Sequence, residues 1–264
     1  MIGLLIGLAA GAFGGLIGVG GGAVMIPLMV RCFKFSQHQG HGTSLMALVF
    51  TGLSGALTYY YLKGSVDLRA AALLAVSAMI TARFGALYAN ALPEWRLKRA
   101  FGFFLIFVSL LLLSKPYLHH LAFLPHQVTG WSKVVALLAT GVVTGFFSGM
   151  MGIGGGSIMV VAMVLLAGFS QHTAQGSALL AMVPAAMVGA YTHWRLGNVV
   201  IRVLPGLIAG IIIGTYCGSS VALHLSETNL RLVFAAMLIL LGLRDIRGAA
   251  KKRRAQAETT ADAE

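Results

Sequence analysis

The chain is short of charge. Seven Asp and Glu and nineteen Lys and Arg make up 10% of its 264 residues, while 58% are hydrophobic. With a mean hydropathy of +0.87, this excludes an ordinary soluble domain and places the chain among integral membrane proteins. All seven acidic residues, Asp67, Glu94, Glu227, Asp245, Glu258, Asp262 and Glu264, fall at segment ends or in the tail. A cation carrier or a carboxylate proton relay would bury at least one of them, so neither is expected. Cysteine is nearly absent. Cys32 and Cys217 have no second pair, histidine cluster or CxxC beside them, and read as apolar packing residues rather than redox or metal groups. No buried carboxylate pair, nucleophile with a base, or metal cluster is legible, which disfavours an enzyme, and no cofactor is expected. A basic region ahead of the first apolar stretch is also missing, and the glycine pattern of that stretch recurs internally, so it is not read as a signal peptide. The net charge of +12 has no aromatic or groove-reading context around it, and no nucleic-acid partner is expected.

What the chain has in quantity is glycine, 34 residues of it. Gly11–Pro27 reads GAFGGLIGVGGGAVMIP and Gly145–Val161 reads GFFSGMMGIGGGSIMVV. At an offset of 134, Gly18 matches Gly152, and Gly20, Gly21 and Gly22 match Gly154, Gly155 and Gly156. The following FSQHQGHGTSL at Phe35–Leu45 matches FSQHTAQGSAL at Phe169–Leu179 at the same offset, and from Gly64 onward the offset becomes 133. This is a duplication covering nearly the whole apolar region. A break in a hydrophobic segment is costly in lipid and persists chiefly where it is buried in protein or lines a cavity. The paired glycine runs are therefore the candidate functional centre.

The fold class expected is an all-α polytopic membrane protein of two homologous halves, each of about four hydrophobic segments, the first of each broken or re-entrant at its glycine run. The spans read as Ile2–Val30, Thr43–Tyr61, Asp67–Ala91 and Leu97–Ser114, then Val134–Gly168, Gly176–Trp194, Val199–Leu223 and Leu230–Leu243. Residues 1–116 form the first repeat, 117–133 an inter-repeat loop holding His119, His120 and His126, 134–246 the second repeat, and 247–264 a basic then acidic tail. If the first segment of each half spans, the halves run parallel; if it dips in and returns, they are inverted. Excluding Arg83, the basic residues divide 12 against 6 in the first case and 13 against 5 in the second. The hairpin is preferred because the break halves the segment and because inverted repeats supply alternating access. Arg244, Arg247, Lys251, Lys252, Arg253 and Arg254 crowd the last span. They read as an anchor that holds the C-terminus in the cytoplasm, with lipid-headgroup contact as a further possibility.

Consecutive glycine amides at the start of a helical limb can converge on an oxyanion, and the helix dipole adds partial positive charge. Two copies facing each other would hold it between them. The alternative is that these glycines only let the chain turn or pack. The spacing Gly18, Gly20, Ala23 also fits a dinucleotide fingerprint, but no strand precedes it. The matched polar stretches add Gln37, His38, Thr43 and Ser44 in one half and Gln171, His172, Gln175 and Ser177 in the other as neutral donors. Thr43 and Ser177 are equally readable as helix caps, and His38 and His172 as plain loop histidines. Arg83 is the basic residue well inside a span; it could attract an anion, or snorkel or pair with carbonyls, and its repeat partner is Tyr216. Gly3, Gly7, Gly11 and Gly15, and again Gly206, Gly210, Gly214 and Gly218, recur every four residues and read as packing seams. Glu94 and Glu227 read as helix N-terminal carboxylates.

The twin GxxxGxxGxGGG runs, the FSQH stretches and the duplicated segments resemble the TauE/SafE sulfite exporter family over roughly residues 3 to 245. The second run has Val161 where the first has the family's usual Pro27. The resemblance implies a bacterial inner-membrane secondary transporter, an exporter of sulfur-containing or organic anions such as sulfite or sulfonates, working by alternating access. An anion channel with the same glycine-lined site is the alternative. The partners implied are a small anionic substrate and the bilayer; oligomeric state is not legible.

Overall fold

The computed structural model describes residues 1–88 and 130–261 and, between them, Trp95, Arg99, Gly102, Phe103, Leu105, Ile106, Phe107, Ser109, Leu110 and Leu113. Most of the expected inter-repeat loop with its three histidines, and Glu94, lie outside the described residues. Among those residues every regular element is helical. The helices are α1 (Ile2–Ile17), α2 (Gly22–Cys32), α3 (Gln37–Lys63), α4 (Leu68–Tyr88), α5 (Trp131–Met151), α6 (Gly156–Leu165), α7 (Gln171–Arg195), α8 (Leu204–His224) and α9 (Glu227–Ala261), with a 3₁₀ turn at Ile201–Val203. Five of them, α3, α4, α5, α7 and α8 with its preceding turn, are long and apolar enough to cross a membrane. The chain is a multi-pass helical membrane protein.

Helix starts are set by capping. Ser36 accepts from the Gln39 amide while the Gln39 side chain accepts from the Ser36 amide, and Ser170 accepts from the Thr173 amide. As a result α3 and α7 begin at Gln37 and Gln171, ahead of the Thr43 and Gly176 expected, and the matched polar stretches are first turns of long helices rather than loops. Asp67 accepts from the Ala70 amide at the start of α4. α5 has 21 residues, longer than the limb expected, because Trp131–Lys133 join it. At the other end of the chain, α9 continues through the basic cluster to Ala261, well past Leu243. Cys32 and Cys217 are free thiols on the exposed surface, not packing residues.

The glycine ladders fix the helix directions. A Cβ on Gly7, Gly11 or Gly15 would strike α8 at Leu207, Ile211 and Thr215 in turn, and one on Gly210, Gly214 or Gly218 would strike α1 at Leu4, Leu8 and Ala12. Advancing along one helix advances along the other, so α1 and α8 run parallel with their backbones in contact. Small residues permit that approach, which in lipid replaces the missing hydrophobic drive with close packing. The other seam repeats the arrangement. Gly141, Gly145 and Gly149 of α5 lie against Leu74, Ala78 and Ala82 of α4, so these two are parallel as well. Each seam joins the first helix of one set to the fourth helix of the other.

The remaining directions follow from cross-contacts. Ser54 reaches the Ile212 carbonyl and Lys63 the Leu223 carbonyl, so α3 runs with α8. α7 opposes α3: Gly42 meets His193, Gly52 meets Val183, and Gly176 meets Tyr59. Gly40 lies against Ile26 and Val30, so α2 descends where α3 rises, and Gly21 packs back on Ala10 of α1. α1 and α2 therefore form a re-entrant hairpin. α5 and α6 form a second, with Gly155 packed back on Thr144 and with Lys133, near the start of α5, 3.9 Å from the ring centre of Phe169 beyond the end of α6. α1, α3 and α8 point one way and α4, α5 and α7 the other.

Candidate functional site

The two hairpin tips meet. A Cβ on Gly22 would fall 2.7 Å from Gly152 O and 2.9 Å from Ile153 Cα, and one on Gly156 would fall 2.5 Å from Gly18 O and 2.9 Å from Val19 Cα. These two contacts interchange when 134 is added or subtracted, so the tips are related by a local dyad. Gly18, Gly20, Gly21 and Gly22 and their counterparts Gly152, Gly154, Gly155 and Gly156 are all buried. Gly18 (φ 75°), Gly20 (φ 96°), Gly21 (φ 75°), Gly152 (φ 64°) and Gly154 (φ 78°) occupy left-handed backbone conformations that an L side chain resists. Gly155 departs from its counterpart with φ −65°.

The turns leave backbone donors over. Gly18 and Gly152 cap their helices through Gly14 O and Ser148 O, and helical bonding resumes at Val24 in one tip and Met159 in the other. Between them the amides of Val19 to Ala23, and of Ile153 to Gly155, find no backbone acceptor among the described residues. They sit at the starts of α2 and α6, where the helix dipole is positive.

Side chains close the tips on both sides. Leu48 of α3 and Met182 of α7, themselves 134 apart, both lie against Gly20 and Gly154. Ser44 donates to Gly152 O at 2.5 Å. The Gln175 side chain packs on Gly18, and its Oε1 accepts from the Tyr59 hydroxyl at 2.7 Å. Tyr59 also lies 3.4 Å from Gly15 O. At the dyad-related place His193, the counterpart of Tyr59, lies 3.3 Å from the carbonyl of Gly149. Gln175 Nε2 and the hydroxyls of Thr51, Ser148, Thr215 and Ser219 are buried without a hydrogen-bond partner among the described residues. Thr51 touches Gly14, and Thr215 and Ser219 face the α1 glycines, so these groups surround the hairpins. A buried polar atom left unpaired costs about 1–3 kcal/mol, which points to water or a ligand at such a place.

The other residues expected at the site are placed elsewhere. Thr43 accepts from the Val200 amide at 3.0 Å and Ser177 from the Asp67 amide at 2.7 Å. Those hydroxyls pin the loops leading into α8 and α4 and do not cap their own helices. His38 and His172 open α3 and α7 and so stand at opposite ends of the bundle; His172 Nε2 lies 3.1 Å from Ala222 O. Gln171 is fully buried at the start of α7, and the Gln37 side chain lies outside the described residues. Arg83 is exposed in a flank cleft between α4 and α7 that no tip residue lines, so the structure does not bring it to the glycines. Arg244, read only as a tail anchor, instead donates to Ala23 O in the first turn of α2 at 2.5 Å. Position within a basic cluster hid that role. Leu48 and Met182 carried a single sequence signal, their equivalence under the repeat.

Comparison with known proteins agrees with this architecture. The family described as sulfite exporter TauE/SafE matches residues 3–244. The probable membrane transporter protein YunE of Bacillus subtilis is 29% identical over 265 residues, covering 90% of this chain and 94% of its own length. The probable membrane transporter protein YdhB of the same species is 26% identical, covering 83% and 89%. A probable membrane transporter protein of Methanocaldococcus jannaschii is 23% identical, covering 91% and 92%. No solved structure matches the chain. With its whole apolar region inside the family match, the chain is a membrane transporter and belongs to the TauE/SafE sulfite exporter family.

Proposed function

We propose that the chain is a secondary transporter that exports sulfur-containing or organic anions, such as sulfite or sulfonates, across a bacterial inner membrane by alternating access. The substrate binds between the two hairpin tips. The observation that carries this proposal is the pair of buried tips meeting on a dyad, each with unpaired amides at the start of a helix. Such amides and the unpartnered hydroxyls of Thr51 and Ser148 and amide of Gln175 are neutral donors, able to replace an anion's hydration without holding it irreversibly. Arg244, on the backbone of α2, adds positive potential beside them.

Alternating access is supported by the opposed directions of the two helix sets. Each set places its hairpin, then a long helix that covers it, in the reverse sense of the other, so a motion that opens one end has a dyad-related counterpart at the opposite end. With Leu48 and Met182 against the glycines the conformation is closed at the centre. Arg31, Lys34, Arg195, Arg202, Arg247 and Lys251 gather at the end where α1 begins, against Lys63, Arg69, Lys133 and, near the start of α9, Arg231 at the other. The positive-inside rule then makes the first end, and the C-terminus, cytoplasmic. No covalent step and no cofactor enter this scheme.

The test is counterflow of radiolabelled sulfite in proteoliposomes, with sulfoacetate, taurine, sulfate and chloride as opposing anions. Saturable exchange is expected. Flux that never saturates and ignores the opposing anion would mean a channel, and flux no greater than in protein-free vesicles would remove sulfite from the substrates.

A further inference from the structure

The two flank clefts of the bundle are copies of each other that differ in charge. One, of about 750 Å³, lies between α4 and α7; the other, of about 660 Å³, lies between α3 and α8. Their linings correspond under the repeat: Met79 stands for Ile212, Met187 for Leu53 and Thr192 for Thr58. Both threonine hydroxyls donate to the carbonyl four residues earlier, to Val188 and Ser54, so even the local bonding is shared. Two positions break the equivalence in charge. Arg83 stands where the second cleft has Tyr216, and Arg195 where it has Tyr61.

Both arginines are exposed, and neither forms an ion pair or hydrogen bond with a described residue. They lie towards the ends of α4 and α7, the end of the bundle where the basic residues gather. Tyr191 and Trp194, with ring centres 6.0 Å apart, mark the same end of α7, as aromatic residues do at headgroup depth. Two unpaired guanidiniums facing lipid are expensive unless an anion joins them, and guanidinium is suited to bidentate contact with phosphate oxygens. The rest of the lining is largely apolar, with Met79 and Met187 inward of the arginines and the Thr192 hydroxyl occupied by the Val188 carbonyl, and no hairpin-tip residue lines it. A small free anion gains nothing from such a wall, whereas an acyl chain does.

We propose that this cleft is a binding site for an anionic phospholipid, with the headgroup phosphate between Arg83 and Arg195 and an acyl chain along Met79 and Met187. The tyrosine-lined copy has no charge with which to select a headgroup. Selectivity for anionic lipid is thus built on one side of the bundle only.

The test is retention of phosphatidylglycerol against phosphatidylcholine by the full-length protein, measured by native mass spectrometry from mixed nanodiscs. Wild type is expected to prefer phosphatidylglycerol by about tenfold or more, a difference of ~1.4 kcal/mol. The Arg83→Gln/Arg195→Gln variant should lose the preference, Arg83→Lys/Arg195→Lys should keep much of it, and Tyr61→Phe/Tyr216→Phe should leave it unchanged. An undiminished preference in the glutamine variant would overturn the assignment, as would displacement of the lipid by inorganic phosphate, which would make this a free-anion site. A second measurement needs no variant: phosphatidylglycerol with a photoreactive headgroup should label α4 and α7 of the wild type, and equal labelling of α3 and α8 would also refute the site.

Discussion

Leu48 and Met182, 134 residues apart, converge on the same two glycines, Gly20 and Gly154, and so fill the axis on which the hairpin tips meet. Neither carries charge or a hydrogen bond that could position a substrate, so in the proposed transport cycle their part is to close. Leu48→Ala and Met182→Ala should each loosen that closure, raising sulfite leak without opposing anion by about tenfold, which corresponds to ~1.4 kcal/mol off the barrier. Each also leaves a cavity costing about 2–5 kcal/mol in stability. Efflux from loaded proteoliposomes, set beside thermal unfolding in detergent, separates the two effects; unchanged leak in both stable variants would deny them a closing role.

The tip glycines should differ in tolerance although the sequence makes them look alike. Gly21 has φ 75° and a Cβ on it would strike Ala10 O, so Gly21→Ala combines backbone strain of about 1–2 kcal/mol with a backbone clash. Gly155 has an ordinary φ but would meet Thr144 at 2.8 Å, and Gly154 has φ 78° with its nearest neighbour at 3.2 Å. Gly154→Ala should therefore fold and transport poorly, Gly155→Ala should be less stable, and Gly21→Ala least stable of the three. Melting temperatures in that order, with reduced counterflow for Gly154→Ala, are the expected outcome.

The parallel course of α1 and α8 can be checked directly. Gly3 and Gly206 face each other, a Cβ on either lying 3.8 Å from the other's backbone carbonyl carbon. With Cys32→Ala and Cys217→Ala in place, Gly3→Cys and Gly206→Cys should cross-link on mild oxidation, because the separation suits a disulfide. Gly3→Cys with Gly218→Cys should not. The reverse result, read as a mobility shift on denaturing gels, would require antiparallel helices and undo the opposed directions of the two sets.

Tyr59 and Gln175 make one buried unit. Removing the hydroxyl in Tyr59→Phe leaves Gln175 with both ends of its amide unpaired and should cost about 1–3 kcal/mol. Adding Gln175→Leu should recover part of that loss, since two apolar partners leave nothing unpaired. A double-mutant cycle by thermal unfolding measures the coupling. Strict additivity of the two single losses would mean that the hydrogen bond contributes nothing to stability.

Much of the fold was legible because lipid makes sequence rules strict. A chain with few charges must pair its backbone internally, so helices follow, and a glycine run within an apolar segment must be buried by protein. The glycine breaks and the four-residue packing seams were readable on those grounds, whereas the sequence left open whether each broken segment spans or folds back, and the hairpins appear only in the packed chain. Helix starts were misplaced by several residues because Ser36 and Ser170 cap through local hydrogen bonds that hydropathy does not register. Thr43 and Ser177 had the right chemistry and the wrong partners: each hydroxyl serves a loop preceding a helix of the other set.

The sequence by itself determined a duplicated, helical membrane chain with two glycine breaks, because composition and self-similarity are properties of the chain alone. Only the tertiary structure decided which half each seam joins, that the tips touch at Gly22 and Gly152 and again at Gly156 and Gly18, and that Arg83 stands outside while Arg244 reaches in. Those outcomes depend on the relative direction of helices far apart in the chain, and a repeat reads the same whether its copies run parallel or opposed. Direction is fixed when carbonyls on one helix meet glycines on another, and that contact exists only once the chain is packed.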